Sequence, residues 1–381
     1  MIDTLFENGR VLLDGQLRES LRIAVEAGRV CAILGAADRV DAARIVDLEG
    51  AILLPGFIDT QVNGGGGRLF NADPSVETIQ QIARTHARFG TTTLFPTLIS
   101  DDLAKVETAI AAVDAAIAMG VPGIAGIHLE GPFLSTDRKG VHDATKFRDL
   151  SFEHVDLLTS LQNGRTLITL SPERASPEII AALVARGVTV SAGHTNATYT
   201  EMRSALDAGV SGFTHLFNAM SPLGSREPGV VGAALEDQES WCGMIVDGHH
   251  VAPATLKIAM RCKPLDKFML VTDAMPSVGM EDGSFVLQGR RIHVEDGICI
   301  TDDGTLAGSD LDMARAFRNA VEYLDLHVVQ ASAMASANPA AFMGMSASHG
   351  EIAPGRQADF VVMDEACELR SVWIKGVRIN D

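Results

Sequence analysis

The amino-acid sequence predicts a (β/α)8 TIM-type barrel with a small β-sandwich domain built from both chain termini. Three observations carry this. Eight apolar runs rich in Val, Ile, Leu, Thr and Phe recur through the middle of the chain, as strands buried on both faces should. Helical patterns follow them, and eight β-then-α units are the count of such a barrel. The two ends are written differently, as short alternating runs broken by tight turns.

Taken in order, "LFENGRVLLDGQL" sets Asn8-Gly9 and Asp14-Gly15 between apolar runs. "LRIAVEAGRVCAIL" sets Ala27-Gly28 between two alternating runs, a hairpin pattern. The same style resumes in "GEIAPGRQADFVVMD" and "LRSVWIKGVRIND". Residues 1–54 and 350–381 are therefore expected to form the sandwich, and 55–349 the barrel.

The barrel runs are "AILLPGFIDTQ", "TTTLFPTLIS", "GIAGIHLEGP", "TLITLSPE", "VTVSAGHT", "GFTHLFNAM", "WCGMIVDGHHV" and "KFMLVTDAM". After the second, Asp101 or Asp102 can cap a helix with Leu103, Val106, Ile110, Val113 and Ile117 on one face, ended by Gly120. After the fifth, Asn196 is the expected cap of "ATYTEMRSALDAG". A doubly wound open sheet is the competing architecture, weakened because no G-x-G-x-x-G follows the first strand. "FVLQGRRIHVEDGICITDDGTLAGSD" has three turn signals and is expected to be a β-hairpin insertion, about 284–308, after the eighth strand.

Composition narrows the function class. Apolar residues make up 46% and charged residues 21%, as in a globular enzyme. The net charge, 31 − 49 = −18, repels nucleic acid and anionic membranes. An anionic substrate then needs a local basic pocket. Five scattered cysteines without C-x-x-C spacing point to free thiols in a reducing, cytoplasmic compartment. No run of about 18 apolar residues predicts a membrane span, and "MIDTLFENGRVLLDG" lacks the apolar core of a signal peptide.

Barrel enzymes carry their chemistry at the C-terminal ends of the strands. There the third strand offers His128 and Glu130, the fifth His194, the sixth His215 and the eighth Asp273. A lone histidine is more often a core or surface residue, but a carboxylate and imidazoles on several strand ends suit zinc or a similar divalent ion with room for water. Such an ion acidifies its water and polarises a carbonyl, and Asp273 can take the proton. The same rim carries His142, Asn218, Arg226, His249 and His250. Arg226 lies in a Gly/Ser/Pro-rich loop where its fork can grip a phosphate. Of the adjacent His249 and His250, one is expected to face the site. Asp59 has a structural role or a hydrogen-bonding role near the metal.

The segments "PGFIDTQVNG", "HLEGPF", "KGVHDATKF", "AGHTNA", "THLFNAMSPLGSREPG", "VDGHHV", "VTDA", "GTLAGS", "NPAAFMG" and "GEIAPGRQADFVVMD", in this order, span nearly the whole chain. Together they resemble the N-acetylglucosamine-6-phosphate deacetylase family of the metal-dependent amidohydrolase superfamily. The resemblance implies a hydrolase of a linear amide bond, with N-acetyl-D-glucosamine 6-phosphate as substrate. It implies Glu130, His194 and His215 as metal ligands, Asp273 as general base and acid, and His142 as the group polarising the acetamide. Val141, Asn218, Ala219, Leu306, Ala307 and Gly308 match sugar-contacting segments. Arg226 and His250 match the phosphate pair, with the arginine supplied across a homodimer. Gln61 and Asn63 stand where some members carry His-x-His, which implies one divalent ion per subunit, zinc foremost, with iron, cobalt or manganese as alternatives. A neutral amide is a poor zinc ligand beside an imidazole. Rival readings are another amidohydrolase reaction and a non-catalytic scaffold of the same fold.

Overall fold

The computed structural model describes residues 2–281 and 283–379. All eight expected barrel runs form strands of one parallel sheet: Phe57–Val62, Thr91–Ile99, Gly126–Glu130, Arg165–Leu170, Thr189–Ala192, Gly212–Phe213, Trp241–Met244 and Phe268–Leu270. The first and last meet where Asp273 N–H donates to Gln61 O across 3.0 Å and Val62 bridges Ala274 in parallel, which closes the barrel. Closure leaves no free edge in this sheet.

Two further sheets come from the ends of the chain. One orders Arg29–Gly35, Leu21–Glu26, Ile2–Glu7 and Ala42–Asp47; the other orders Val377–Arg378, Leu369–Ile374, Phe360–Met363, Ile52–Pro55, Arg10–Leu13 and Gln16–Arg18. The expected range 1–54 plus 350–381 begins and ends on residues outside those described, Met1 and 380–381. Phe6 packs edge-on against Trp373 at 4.8 Å and Phe360 at 5.3 Å, joining the two sheets through their inner faces. Alternation then divides Ile52–Pro55: Leu53 joins that small core, while Ile52 and Leu54 join the main one.

The helix Leu103–Ala118 buries Val106, Ile110 and Val113 as its spacing requires, starting after Asp102. Asp102 itself bonds Lys146 rather than the helix end. The helix after the fifth strand, Tyr199–Asp207, corrects an expectation. Its cap is Thr198, in a reciprocal box with Glu201, and Asn196 instead accepts a bond from Arg138 Nε at 3.0 Å. Thr-x-x-Glu satisfies two helix-end N–H groups where Asn196 could satisfy one.

The insertion after the eighth strand is an antiparallel meander, Ser284–Leu287, Arg290–Glu295, Ile298–Thr301 and Leu306–Ser309. It returns to the barrel rim where Ser309 N–H donates to Asp273 O at 2.9 Å. Among the described residues no helix is long and apolar enough to cross a membrane.

Inside the barrel, one layer below the rim, the filling is polar. Thr97 Oγ1, His128, Thr169 Oγ1 and Thr214 Oγ1 form a chain with successive separations of 3.2, 2.7 and 2.6 Å. Asp59 accepts from Thr272 Oγ1 at 2.5 Å and from Gln61 N–H at 3.1 Å. Burial pushes the His128 imidazole down to about 4 and the Asp59 carboxyl up to about 7. His128 is thus a hydrogen-bonded interior residue, and Asp59 ties the first strand to the eighth.

Candidate metal centre

Three buried side chains converge at the strand ends. His215 Nε2 lies 3.0 Å from Glu130 Oε1 and 3.1 Å from His194 Nε2, and His194 Nε2 lies 3.3 Å from Glu130 Oε1. Two of the three sit on strained backbone: His194 has φ 47° and His215 φ 34°, in the left-handed region, as does Asp273 at 54°. Non-glycine residues avoid that region unless the surroundings impose it.

The trio fits a divalent ion. Four ligands about 2.0–2.2 Å from zinc in a tetrahedron stand roughly 3.3 Å from one another, close to the observed spacings. His194 Nδ1 lies 2.8 Å from Arg138 O, so its proton is assigned there and the Nε2 lone pair faces the cluster. Burial works to raise the Glu130 carboxyl, but His194 and His215 outweigh it and hold it well below its ordinary value. Glu130 is therefore an anion aimed at the shared centre, and these three residues could hold a metal ion.

Gln61 and Asn63 turn donors, not lone pairs, toward the neighbouring carboxylates. Gln61 Nε2 reaches Glu130 Oε1 and Oε2 at 3.3 and 3.2 Å and Asp273 Oδ1 at 3.1 Å. Asn63 Nδ2 reaches Asp273 Oδ1 at 2.6 Å. The amides take the place a second cation would need between two acids, with N–H groups in its stead.

Asp273 lies half-buried beside this group, at the wall of the cavity. Burial pushes its carboxyl up to about 6, with Glu130's charge pushing the same way and His215, His250 and the Asn63 bond opposing. A carboxylate poised there can take a proton and give it back near neutral pH. His142 is buried. Burial, reinforced by the His194 ring, holds its imidazole well below the ordinary value, so it is neutral. Its Nδ1 lies 2.9 Å from Ser100 Oγ.

One cavity of about 220 Å³ joins these groups: Glu130, His142, His194, His215, His250 and Asp273 line it, with Val141, Asn218, Ala219, Leu306 and Gly308. The side chain of Ala307 faces away, into an apolar cluster with Ile292 and Cys299, because alternation along Leu306–Ser309 sends it to the opposite side. Of the adjacent histidines, His250 faces the cavity and His249 is exposed. Arg226 is exposed and does not line the cavity of its own chain.

Three contributors escaped the sequence reading. Ser100 holds His142. Asp247 accepts from the backbone N–H groups of His249 and His250 at 2.8 and 2.9 Å, and its Oδ2 lies 2.6 Å from His250 Nδ1. The Asp-x-x-His spacing in "DGHHV" was the available signal. Gln288 had no local signal at all.

The chain matches the Amidohydrolase family over residues 52–379. It is 42% identical to the N-acetylgalactosamine-6-phosphate deacetylase of Shewanella sp. (strain ANA-3), over 97% of this chain and 94% of that protein. The crystal structure of N-acetylglucosamine-6-phosphate deacetylase from Pasteurella multocida superposes with a TM-score of 0.95 at 33% identity, covering 98% of this chain and 99% of that one. A mutant of the Mycobacterium smegmatis N-acetyl-D-glucosamine-6-phosphate deacetylase, solved with N-acetyl-D-glucosamine-6-phosphate, superposes with a TM-score of 0.92 at 34% identity, covering 100% of both chains.

Proposed function

The chain belongs to the amidohydrolase family, and from that premise we propose that it removes the N-acetyl group of N-acetyl-D-glucosamine 6-phosphate, giving D-glucosamine 6-phosphate and acetate in amino-sugar catabolism. The observation that carries this is the convergence of Glu130, His194, His215, Asp273 and His142 on one cavity.

Glu130, His194 and His215 hold one divalent ion, zinc foremost, which supplies water acidification and carbonyl polarisation when bound. Asp273 takes the proton of the attacking water and later delivers it to the leaving amine. His142, neutral, donates a hydrogen bond to the acetamide oxygen as negative charge develops there. Asn218, Ala219, Val141, Leu306 and Gly308 bound the sugar. His250, braced by Asp247, meets the phosphate. Arg226 is exposed on its own chain, which supports its serving the cavity of a partner subunit in a homodimer. Binding the phosphate far from the amide orients the reacting carbon. Five free cysteines support a cytoplasmic setting.

The identity to a deacetylase of the galactose epimer gives a second reading, N-acetyl-D-galactosamine 6-phosphate as the preferred substrate. Turnover of both epimers, with and without the phosphate, together with elemental analysis, tests the proposal. Expected are one divalent ion per chain and hydrolysis of a phosphorylated epimer far above its unphosphorylated form. No turnover of either sugar phosphate by metal-loaded protein refutes it.

A further inference from the structure

We propose that Gln288, at the tip of the inserted hairpin, is a positioning residue: its amide ties the His142 loop to the end of the second barrel strand and so fixes the direction in which His142 donates. The inference rests on the deacetylase reading only for the use made of that donor.

The pairing of Leu287 with Arg290 leaves a two-residue turn, Gln288-Gly289, with φ of 48° and 80°. Both angles are left-handed, the type I′ geometry, whose first position favours Asn, Asp or Gly. A glutamine gains nothing locally from that conformation. Its side chain instead makes two bonds that leave the hairpin. Oε1 accepts from Asp143 N–H at 2.8 Å, and Nε2 donates to Ser100 O at 2.7 Å. One partner can only donate and the other only accept, so the orientation of the amide is fixed.

Those two partners bracket His142. Asp143 follows it in the chain. Ser100 touches its ring, with Oγ 2.9 Å and backbone N 3.4 Å from Nδ1. A backbone N–H can only donate, so Nδ1 carries the lone pair and the proton sits on Nε2. Residues 139–145 reach distant segments through two links, Ser100 to His142 and Gln288 to Asp143, while the flanking Arg138 and Lys146 are tied to Asn196 and Asp102. Apolar contacts seat the tip, since Leu287 is 1% exposed and packs in one cluster with Ile99, Met275 and Ile292, against which Val141 lies. The amide therefore closes a ring of three segments that are remote in sequence: strand end, histidine loop and hairpin.

The test uses the metal-loaded chain and three variants. Gln288→Met keeps length and removes both bonds. Gln288→Glu keeps an acceptor for Asp143 but sets a carboxylate against Ser100 O. Val286→Ser, at a side chain 63% exposed on the same hairpin, is the control. Both Gln288 variants are expected to lower kcat about tenfold with KM changed less than about threefold, at unchanged metal content. In histidine-selective 15N spectra, the single Nε2–H tautomer of His142 should give way to exchange between tautomers, while Val286→Ser matches wild type. Unchanged kcat in Gln288→Met, or unchanged His142 signals in both Gln288 variants, overturns the assignment. If the wild-type chain hydrolyses neither sugar phosphate, the functional reading fails, and the ring spectra still decide the role of Gln288.

Discussion

Asn63 Nδ2 lies 2.6 Å from Asp273 Oδ1, the shorter of two amide contacts that hold the carboxylate of the eighth strand against the first. Burial and Glu130 push this carboxyl up to about 6, while His215, His250 and, after them, the Asn63 bond pull it back. Removing the donor in Asn63→Ala must therefore raise the pKa further. Asp273 accepts a proton only when ionised, so activity falls as pH drops through that value. The acid limb of kcat/KM should move up by roughly half to one pH unit in the variant. A pH–rate profile with an unmoved limb assigns the limb to another group.

Asp273→Asn keeps the size of the side chain and removes its proton-carrying capacity. Metal content should stay near wild type, because Glu130, His194 and His215 form their group without it. Turnover should fall by about 10²–10⁴, the usual worth of a positioned acid or base. Elemental analysis beside single-turnover kinetics checks both halves. Wild-type kcat in this variant removes Asp273 from the chemistry.

The barrel strands and the candidate metal group were legible because each depends on a local pattern: an apolar run, then a metal-ligating residue type at its end. Glu130, His194 and His215 each follow a buried run at the place where barrel sites form. The residues that act through another residue were not legible. Ser100 ends the second run as an ordinary serine, and Gln288 sits in a turn that reads as punctuation; their meaning arises from contacts with His142 and Asp143 that only tertiary structure creates. Asn196 misled because a nearer capping box outcompeted it. Ala307 was carried along with its neighbours although strand alternation turns its side chain away from theirs.

Arg226 is exposed, and among the described residues it has no carboxylate partner and does not line its own cavity. If it serves a partner subunit, Arg226→Ala should raise KM for the phosphorylated sugar by roughly 10–100-fold and leave the unphosphorylated sugar unaffected, since one charge-assisted phosphate contact is worth about 1.5–3 kcal/mol. Mixing this variant with Asp273→Asn makes the stronger check. A mixed dimer in which each chain supplies what the other lacks recovers about half of the native sites on one side, so activity should return on subunit exchange. Absence of recovery in dimers proven to be mixed places Arg226 outside the partner's site.

The last prediction concerns stability against acid. His86 is fully buried in the helix Val76–Ala87, where Nε2 lies 2.8 Å from Gly64 O and, among the described residues, Nδ1 has no partner. Burial pushes its imidazole down to about 4, with the Gly64 carbonyl opposing. In the unfolded chain the same group titrates near 6.5. Between these values the unfolded state binds the proton and the folded state does not, so stability is full above about 6.5 and is lost progressively as pH falls toward 4. The difference amounts to about 3 kcal/mol at the low end of the window. His86→Gln keeps an N–H for Gly64 and has no proton to gain. Asp59 and Asp359, whose carboxyls burial raises to about 7 and about 6, act in the opposite sense but equally in both proteins. Denaturant unfolding at pH 7 and at pH 4.5 should therefore show a smaller acid loss in the variant, by about 2–3 kcal/mol. Equal losses in the two proteins would mean that His86 is protonated within the fold, and that the glycine loop it anchors tolerates the charge.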